Sequence, residues 1–170
     1  DVYKLVLDDA GTHYRMDGKW VPLEEKRIWL AVRFGPFTLP IPKTIYRSVH
    51  GPVIRNKAGS FAIRYAGIDN AKAVEQYYRN TKAQTWEEWT KSMSIGGVPA
   101  TNFIYADKTG RVAYIYNALF PDRKPGYDYT KLLPGDTSAV MWAGPVGFDR
   151  YPKIVDPASG FVQNANNTPF

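Results

Sequence analysis

Three asparagines crowd the end of this chain, Asn164, Asn166 and Asn167, directly after the short apolar run Gly160-Phe161-Val162. A carboxamide carries both donors and an acceptor without net charge, so three of them within four positions at a strand end can aim neutral donors at one point. A developing oxyanion is the kind of charge such a point could hold. The same residues are also good turn chemistry, because Asn tolerates left-handed backbone and Asn-Asn-Thr-Pro is a loop-forming string. Taken alone, they leave both readings open. Other reactive groups are scarce. The chain has no Cys, which excludes disulfides and thiolate metal sites, and its two histidines, His13 and His50, would need carboxylate help to hold zinc. No GxGxxG, P-loop or HExxH pattern occurs, so nothing points to a nucleotide or zinc cofactor.

The elements that must position these groups read mostly as strands. Val2 to Leu7 has strand character, and Asp17-Gly18 between two short alternating runs is a strong hairpin signal. Arg27 to Phe34 follows as a strand, and Gly35-Pro36 with Pro40 and Pro42 should interrupt it, since proline cannot donate to a ladder. Thr44–Val49 and Phe61–Ala66 continue the sheet on either side of the His50-Gly51-Pro52 corner. Asp69 or Asn70 is placed to cap a helix over about 70–81, with Ala71, Val74, Tyr77 and Tyr78 at helical spacing. Thr85-Trp-Glu-Glu88 has capping-box spacing and opens a second helix over about 86–94, whose buried stripe is Trp86, Trp89 and Met93. Runs at 101–107 and 111–117 flank Asp107-Lys-Thr-Gly110 as a hairpin. Residues 119–137 read as loop, Ala139–Trp142 as a brief strand and Gly160–Val162 as the last one. With no repeat, low-complexity tract or linker, the expectation is one α+β unit spanning 1–170.

Bulk properties exclude some function classes. Net charge is +6, and the excess lies in residues 1–85, yet no stretch has more than two consecutive cations, which argues against a nucleic-acid partner. No apolar run approaches 18 residues, so no membrane partner is expected. Five Trp, twelve Tyr and eight Phe supply large anchors for sheets. The opening Asp1-Val-Tyr-Lys starts directly on a strand-like run, which suggests that the true N-terminus has been cut away.

Five segments, in order, carry a resemblance: Ser48-Val-His-Gly-Pro52; Thr85-Trp-Glu-Glu-Trp-Thr90; Asn102-Phe-Ile-Tyr-Ala-Asp-Lys-Thr-Gly110 with Ala113-Tyr114; Phe120-Pro-Asp-Arg123; and Pro157-Ala-Ser-Gly-Phe-Val-Gln-Asn-Ala-Asn-Asn-Thr-Pro169. In these the chain resembles the β-chain interior of penicillin acylases and their relatives, N-terminal-nucleophile amidohydrolases that include acyl-homoserine lactone acylases. The resemblance implies an α+β fold, part of a four-layer αββα sandwich of mostly antiparallel strands with two helices.

It also implies a mechanism. In that family a Ser freed at the β-chain N-terminus attacks an amide carbonyl with its own α-amine as base. An α-amine has a pKa of about 8, so much of it is available near neutrality. Residue 1 here is Asp, so the nucleophile, the backbone oxyanion donor and the α-chain are expected to lie outside 1–170, leaving a catalytically silent piece. Asn166 matches the family's oxyanion-hole Asn, with Asn164 and Asn167 as its scaffold; Ala165 stands where the family often has an aromatic. Thr101 and Tyr77 fall at substrate-side positions, and Thr in place of a longer apolar residue suggests an acyl group other than phenylacetyl. No cofactor is required for the chemistry. A structural calcium is implied in the parent, with Asp1 matching one ligand and the loop near Tyr129 offering a carbonyl. The implied partners are the remaining β-chain and α-chain and a small N-acyl substrate, the implied location is periplasmic or secreted, and a piece of a sandwich is expected to self-associate. The alternative from another class is a non-catalytic β-rich binding domain on the same scaffold.

Overall fold

A computed structural model describes residues 1–98 and 100–166. The chain divides into two compact units, one formed by 1–65 with 123–142 and the other by 66–122 with 143–170.

The first unit is built on a six-stranded sheet. Its strands are β1 (Val2–Leu5), β4 (Glu24–Phe34), β5 (Phe37–Ser48), β6 (Gly51–Asn56), β7 (Gly59–Ile63) and β10 (Leu133–Pro134), in the order β10-β1-β7-β6-β5-β4. All neighbours are antiparallel except β1 and β10. A separate hairpin, β2 (His13–Met16) with β3 (Lys19–Pro22), turns at Asp17 and Gly18 with φ of 48° and 80°, the left-handed pair that Asp-Gly favours. Tyr3, Leu5, Tyr14, Leu23, Leu133 and Val140 form the core. Between β5 and β6 the chain reverses at Gly51, where an added Cβ would collide with the Ile63 carbonyl, so only glycine passes.

Contrary to expectation, Pro40 and Pro42 do not interrupt the sheet. The β4–β5 ladder runs unbroken from Glu24↔Arg47 to Phe34↔Phe37 through Ala31↔Pro40 and Trp29↔Pro42. The two prolines share parity, so both ring nitrogens face away from β4. On that side β5 is paired to β6 only over Tyr46–Ser48, and a missing donor costs nothing. The same register puts Leu30, Val32, Phe34, Phe37, Leu39 and Ile41 on one face of the ribbon. Phe34 and Phe37 at its tip are 54% and 69% exposed, and contiguous exposed apolar residues of this kind are where interaction surfaces form.

The second unit pairs a three-stranded antiparallel sheet with two helices. The sheet is β8 (Ala100–Ala106), β9 (Val112–Ala118) and β11 (Lys153–Val155), ordered β11-β9-β8; the helices are α1 (Ala73–Lys82) and α2 (Trp86–Met93). Thr85 Oγ1 accepts from the Glu88 N–H at 3.1 Å, and Glu88 reaches back to the Gln84 N–H at 2.8 Å, one residue before the cap. The expected stripe is present: Trp89 and Met93 are buried against Ile115, with Trp86, Phe103 and Tyr105 packed around them. Helix α1 starts later than its spacing suggests. Asn70 does not cap it; its Oδ1 takes the Lys72 N–H and its Nδ2 donates to Gly96 O. Its apolar residues are not its buried face either, for Val74 is 81% exposed while Gln76 is buried. The strand expected at 139–142 is a turn, with the Met141 N–H on Ser138 O and the Val140 carbonyl taken by the Tyr129 hydroxyl. The strand expected at 160–162 is absent because Pro157 to Gly160 forms a turn, Gly160 having φ of 71°. The last strand lies earlier, at Lys153–Val155, held on β9.

Candidate functional site

Strand β8 distributes the candidate residues of the second unit between its two faces. Thr101, Phe103 and Tyr105 alternate toward α1 and α2, while Asn102 and Ile104 face the other way. Thr101 lies half-buried opposite Asn117, and the Tyr77 ring meets Phe103 at a centroid distance of 6.3 Å, so these two candidates share a face. Behind them Gln76 and Asn117, both fully buried, form a polar node that patterning did not reveal. Gln76 Oε1 accepts the N–H groups of Gly97 and Val98 at 2.7 and 3.1 Å, its Nε2 donates to Asn117 Oδ1 at 2.9 Å, and Asn117 Nδ2 donates to Met93 O. This node fixes the chain as it enters β8. Gly97 passes so close to the Lys72 carbonyl that a Cβ would overlap it. A lone Gln among exposed apolar residues on α1 is the only signal that hinted at it.

The opposite face leads to Asn166. Tyr114, 9% exposed on β9, donates from its hydroxyl to Asn102 Oδ1 at 2.7 Å. Asn102 Nδ2 donates to Asn164 Oδ1 at 3.1 Å, and the Asn166 N–H donates to that same oxygen at 2.9 Å. Asn166 itself has φ of 56° and is exposed. Left-handed backbone is a conformation Asn accepts at low cost. Asn167 lies outside the described residues. Asn166 is thus tied through Asn164 to Asn102, whose side chain points away from the face that carries Thr101 and Tyr77.

The calcium candidates belong to the first unit. Asp1 has its side chain 2% exposed, with Oδ1 accepting from Arg123 Nη2 at 2.6 Å and Oδ2 from Trp142 Nε1 at 2.7 Å and Arg123 Nε at 3.3 Å. The Arg123 guanidinium lies 5.3 Å from the centroid of the Tyr129 ring, and the Tyr129 hydroxyl donates to Val140 O. Asp1 and Tyr129 are therefore neighbours through a cation. Calcium takes six to eight oxygen ligands, whereas here one carboxylate already meets a guanidinium and an indole; no group of three or more carboxylates or imidazoles gathers among the described residues. As arranged, both Asp1 carboxylate oxygens are taken by Arg123 and Trp142.

Beside this cluster His50 is 1% exposed, stacked on Tyr3 at 4.3 Å, with Nε2–H donating to Gly135 O at 3.0 Å. Burial pushes its pKa below the usual histidine value, and the bond to Gly135 offsets part of that. On the β8–β9 turn, the Thr109 hydroxyl, with Tyr105 and the backbone of Thr109 and Arg111, holds the Asp107 carboxyl down at about 2.

A family model described as penicillin amidase matches residues 1–170. The chain belongs to the penicillin amidase family. It is 29% identical to the penicillin G acylase of Escherichia coli over 161 residues, covering 92% of this chain and 18% of that protein. It is 27% identical to the acyl-homoserine lactone acylase PvdQ of Pseudomonas putida over 194 aligned positions, covering 98% of this chain and 25% of the relative. Among solved structures, the thermostable penicillin G acylase of Alcaligenes faecalis superposes with a TM-score of 0.86 and 28% identity over 100% of this chain and 31% of its own. The chain thus spans less than a third of each. The α+β fold of mostly antiparallel strands with two helices is the family's own.

Proposed function

We propose that this chain is a segment of an acylase that hydrolyses linear N-acyl amides through an N-terminal Ser, and that Asn166 is one of its two oxyanion donors. The whole-length match to the penicillin amidase family carries this reading. The Asn166 role is supported by an exposed carboxamide on left-handed backbone that is tied to a strand. In the reaction, the Ser hydroxyl adds to the substrate carbonyl as the α-amine takes its proton, and the carbonyl electrons become an oxyanion. Collapse expels the amine with a proton, and water then hydrolyses the acyl ester. A side-chain amide directed at that oxyanion contributes about 3 kcal/mol to the transition state, judged from the loss of one such donor. Thr101 and Tyr77 would line the acyl side. The remaining β-chain and α-chain would supply the nucleophile and the second donor, and would cover the apolar ribbon face of β4 and β5. The relatives are named for penicillin G and for acyl-homoserine lactones; an N-acyl compound of one of these two kinds is the proposed substrate, handled in the periplasm or outside the cell.

The test is to express the complete parent gene product and residues 1–170 separately and to offer each a chromogenic phenylacetyl amide and a long-chain acyl-homoserine lactone. The parent is expected to hydrolyse at least one and the segment neither. A parent that hydrolyses neither contradicts the acylase reading, and turnover by the segment contradicts the division of the site.

A further inference from the structure

The run 161–166 belongs to no strand, yet it carries the residue whose amide must be held to within a fraction of an ångström for catalysis. Among the described residues, one hydrogen bond ties that run to the sheet, from Asn102 to Asn164. The direction of each link is fixed by chemistry. The Tyr114 hydroxyl donates to Asn102 Oδ1, which turns the Asn102 amide nitrogen toward Asn164. Asn164 then presents its carbonyl oxygen to two donors, Asn102 Nδ2 and the Asn166 backbone N–H. Tyr114 and Asn102 are diagonal neighbours on one face of β8 and β9, since Asn102 pairs with Tyr116 and Ile104 with Tyr114. The chain of bonds therefore begins on a buried strand residue and ends at the backbone of the proposed oxyanion donor.

We propose that Asn102 and Tyr114 are positioning residues for the acylase reaction, holding Asn164 so that its carbonyl fixes the left-handed turn from which the Asn166 amide projects. This rests on the oxyanion role of Asn166. Neither residue touches substrate; both act through Asn164. The amide at position 102 is required because it must accept from Tyr114 with one atom and donate to Asn164 with the other, which neither a carboxylate nor an apolar residue does.

The test uses the complete parent enzyme. Asn102→Asp keeps the size and the acceptor for Tyr114 and replaces the donor to Asn164 with a charged oxygen that repels its carbonyl. It is expected to lower kcat about tenfold, less than the roughly 10²–10³-fold cost of removing an oxyanion donor outright, with KM within about twofold because ground-state binding is untouched. Tyr114→Phe, which deletes one hydroxyl, should lower kcat a few-fold in the same pattern and serves if the aspartate variant folds poorly. In an Asn166→Gly background, which suits the left-handed backbone but lacks the amide, Asn102→Asp should cost nothing further. If Asn166→Gly loses activity while Asn102→Asp and Tyr114→Phe keep full kcat, or if the losses multiply, positioning is overturned and the oxyanion role stands. If Asn166→Gly itself keeps full kcat, the oxyanion role falls and the positioning proposal with it.

Discussion

At Asp1, a carboxylate whose type and strand context resemble a calcium ligand meets Arg123 and Trp142. A buried carboxylate must be paired, and a guanidinium pairs it without a metal. Adding millimolar calcium to residues 1–170 is accordingly expected to leave the thermal midpoint unchanged, and a saturable rise would contradict this. His50 gives a pH-dependent term whose sign is fixed. Its folded pKa lies below the unfolded value of about 6.5, so as pH falls the unfolded chain takes the proton first and stability drops until the folded pKa is passed. Charges nearby are Arg64, which reinforces the shift, and Asp17, which opposes it. Thermal melts between pH 7.5 and 5 should show this loss, and His50→Gln, which retains a donor for Gly135, should flatten it. An unchanged slope would contradict the assignment. Asp107, held at about 2, acts in the same direction at lower pH: its contribution is full above its unfolded pKa of about 3.9 and is lost as pH falls from there through about 2.

Element by element, local signals succeeded where a single residue decides geometry. Thr85→Ala should cost about 1 kcal/mol in a chemical melt, because it orphans the Glu88 N–H; a change near zero would mean that Glu88 alone secures the helix start. The Asp17-Gly18 and Asp107–Gly110 hairpins and the Trp89–Met93 stripe were readable for the same reason: each depends on residues within a few positions. Pro40 and Pro42 misled because tolerance of proline depends on which side of β5 is paired, a property of a neighbouring strand. Strand β11 is three residues made regular only by pairing with β9, and Gln76 is buried only because Gly97 and Val98 need an acceptor. Of the candidate site, composition and order point to Asn166 as a proposal, whereas the bonds from Tyr114 to Asn102 to Asn164 required the register of β8 and β9. The apolar face of β4 and β5 has a measurable consequence. Phe37→Thr with Leu39→Thr should reduce binding of an apolar dye and shift residues 1–170 to smaller species in gel filtration, with little change in melting, because both side chains are more than half exposed. Unaltered dye binding and elution would show that this face is not the sticky one.

For the molecule as a whole, the match covers this chain from end to end but less than a third of each relative, so function here is a matter of what 170 residues bring to a larger site. They bring a three-stranded sheet, an asparagine on left-handed backbone tied to its edge strand, and the proposed substrate-side residues Thr101 and Tyr77. The charge excess in the first 85 residues lies partly on the β4–β5 ribbon, with Lys26, Arg27, Arg33 and Lys43 along it, and acidic surface on the remaining parent polypeptide would complement it. The proposed oxyanion role of Asn166 stands or falls on whether its amide meets the reacting oxygen. The most direct measurement is a crystal structure of the complete parent enzyme bound to a tetrahedral mimic of the acyl-transfer intermediate. Asn166 Nδ2 is expected about 2.7–3.1 Å from the oxygen that stands for the oxyanion. An Asn166 amide turned away from that oxygen, with another group in its place, would contradict it.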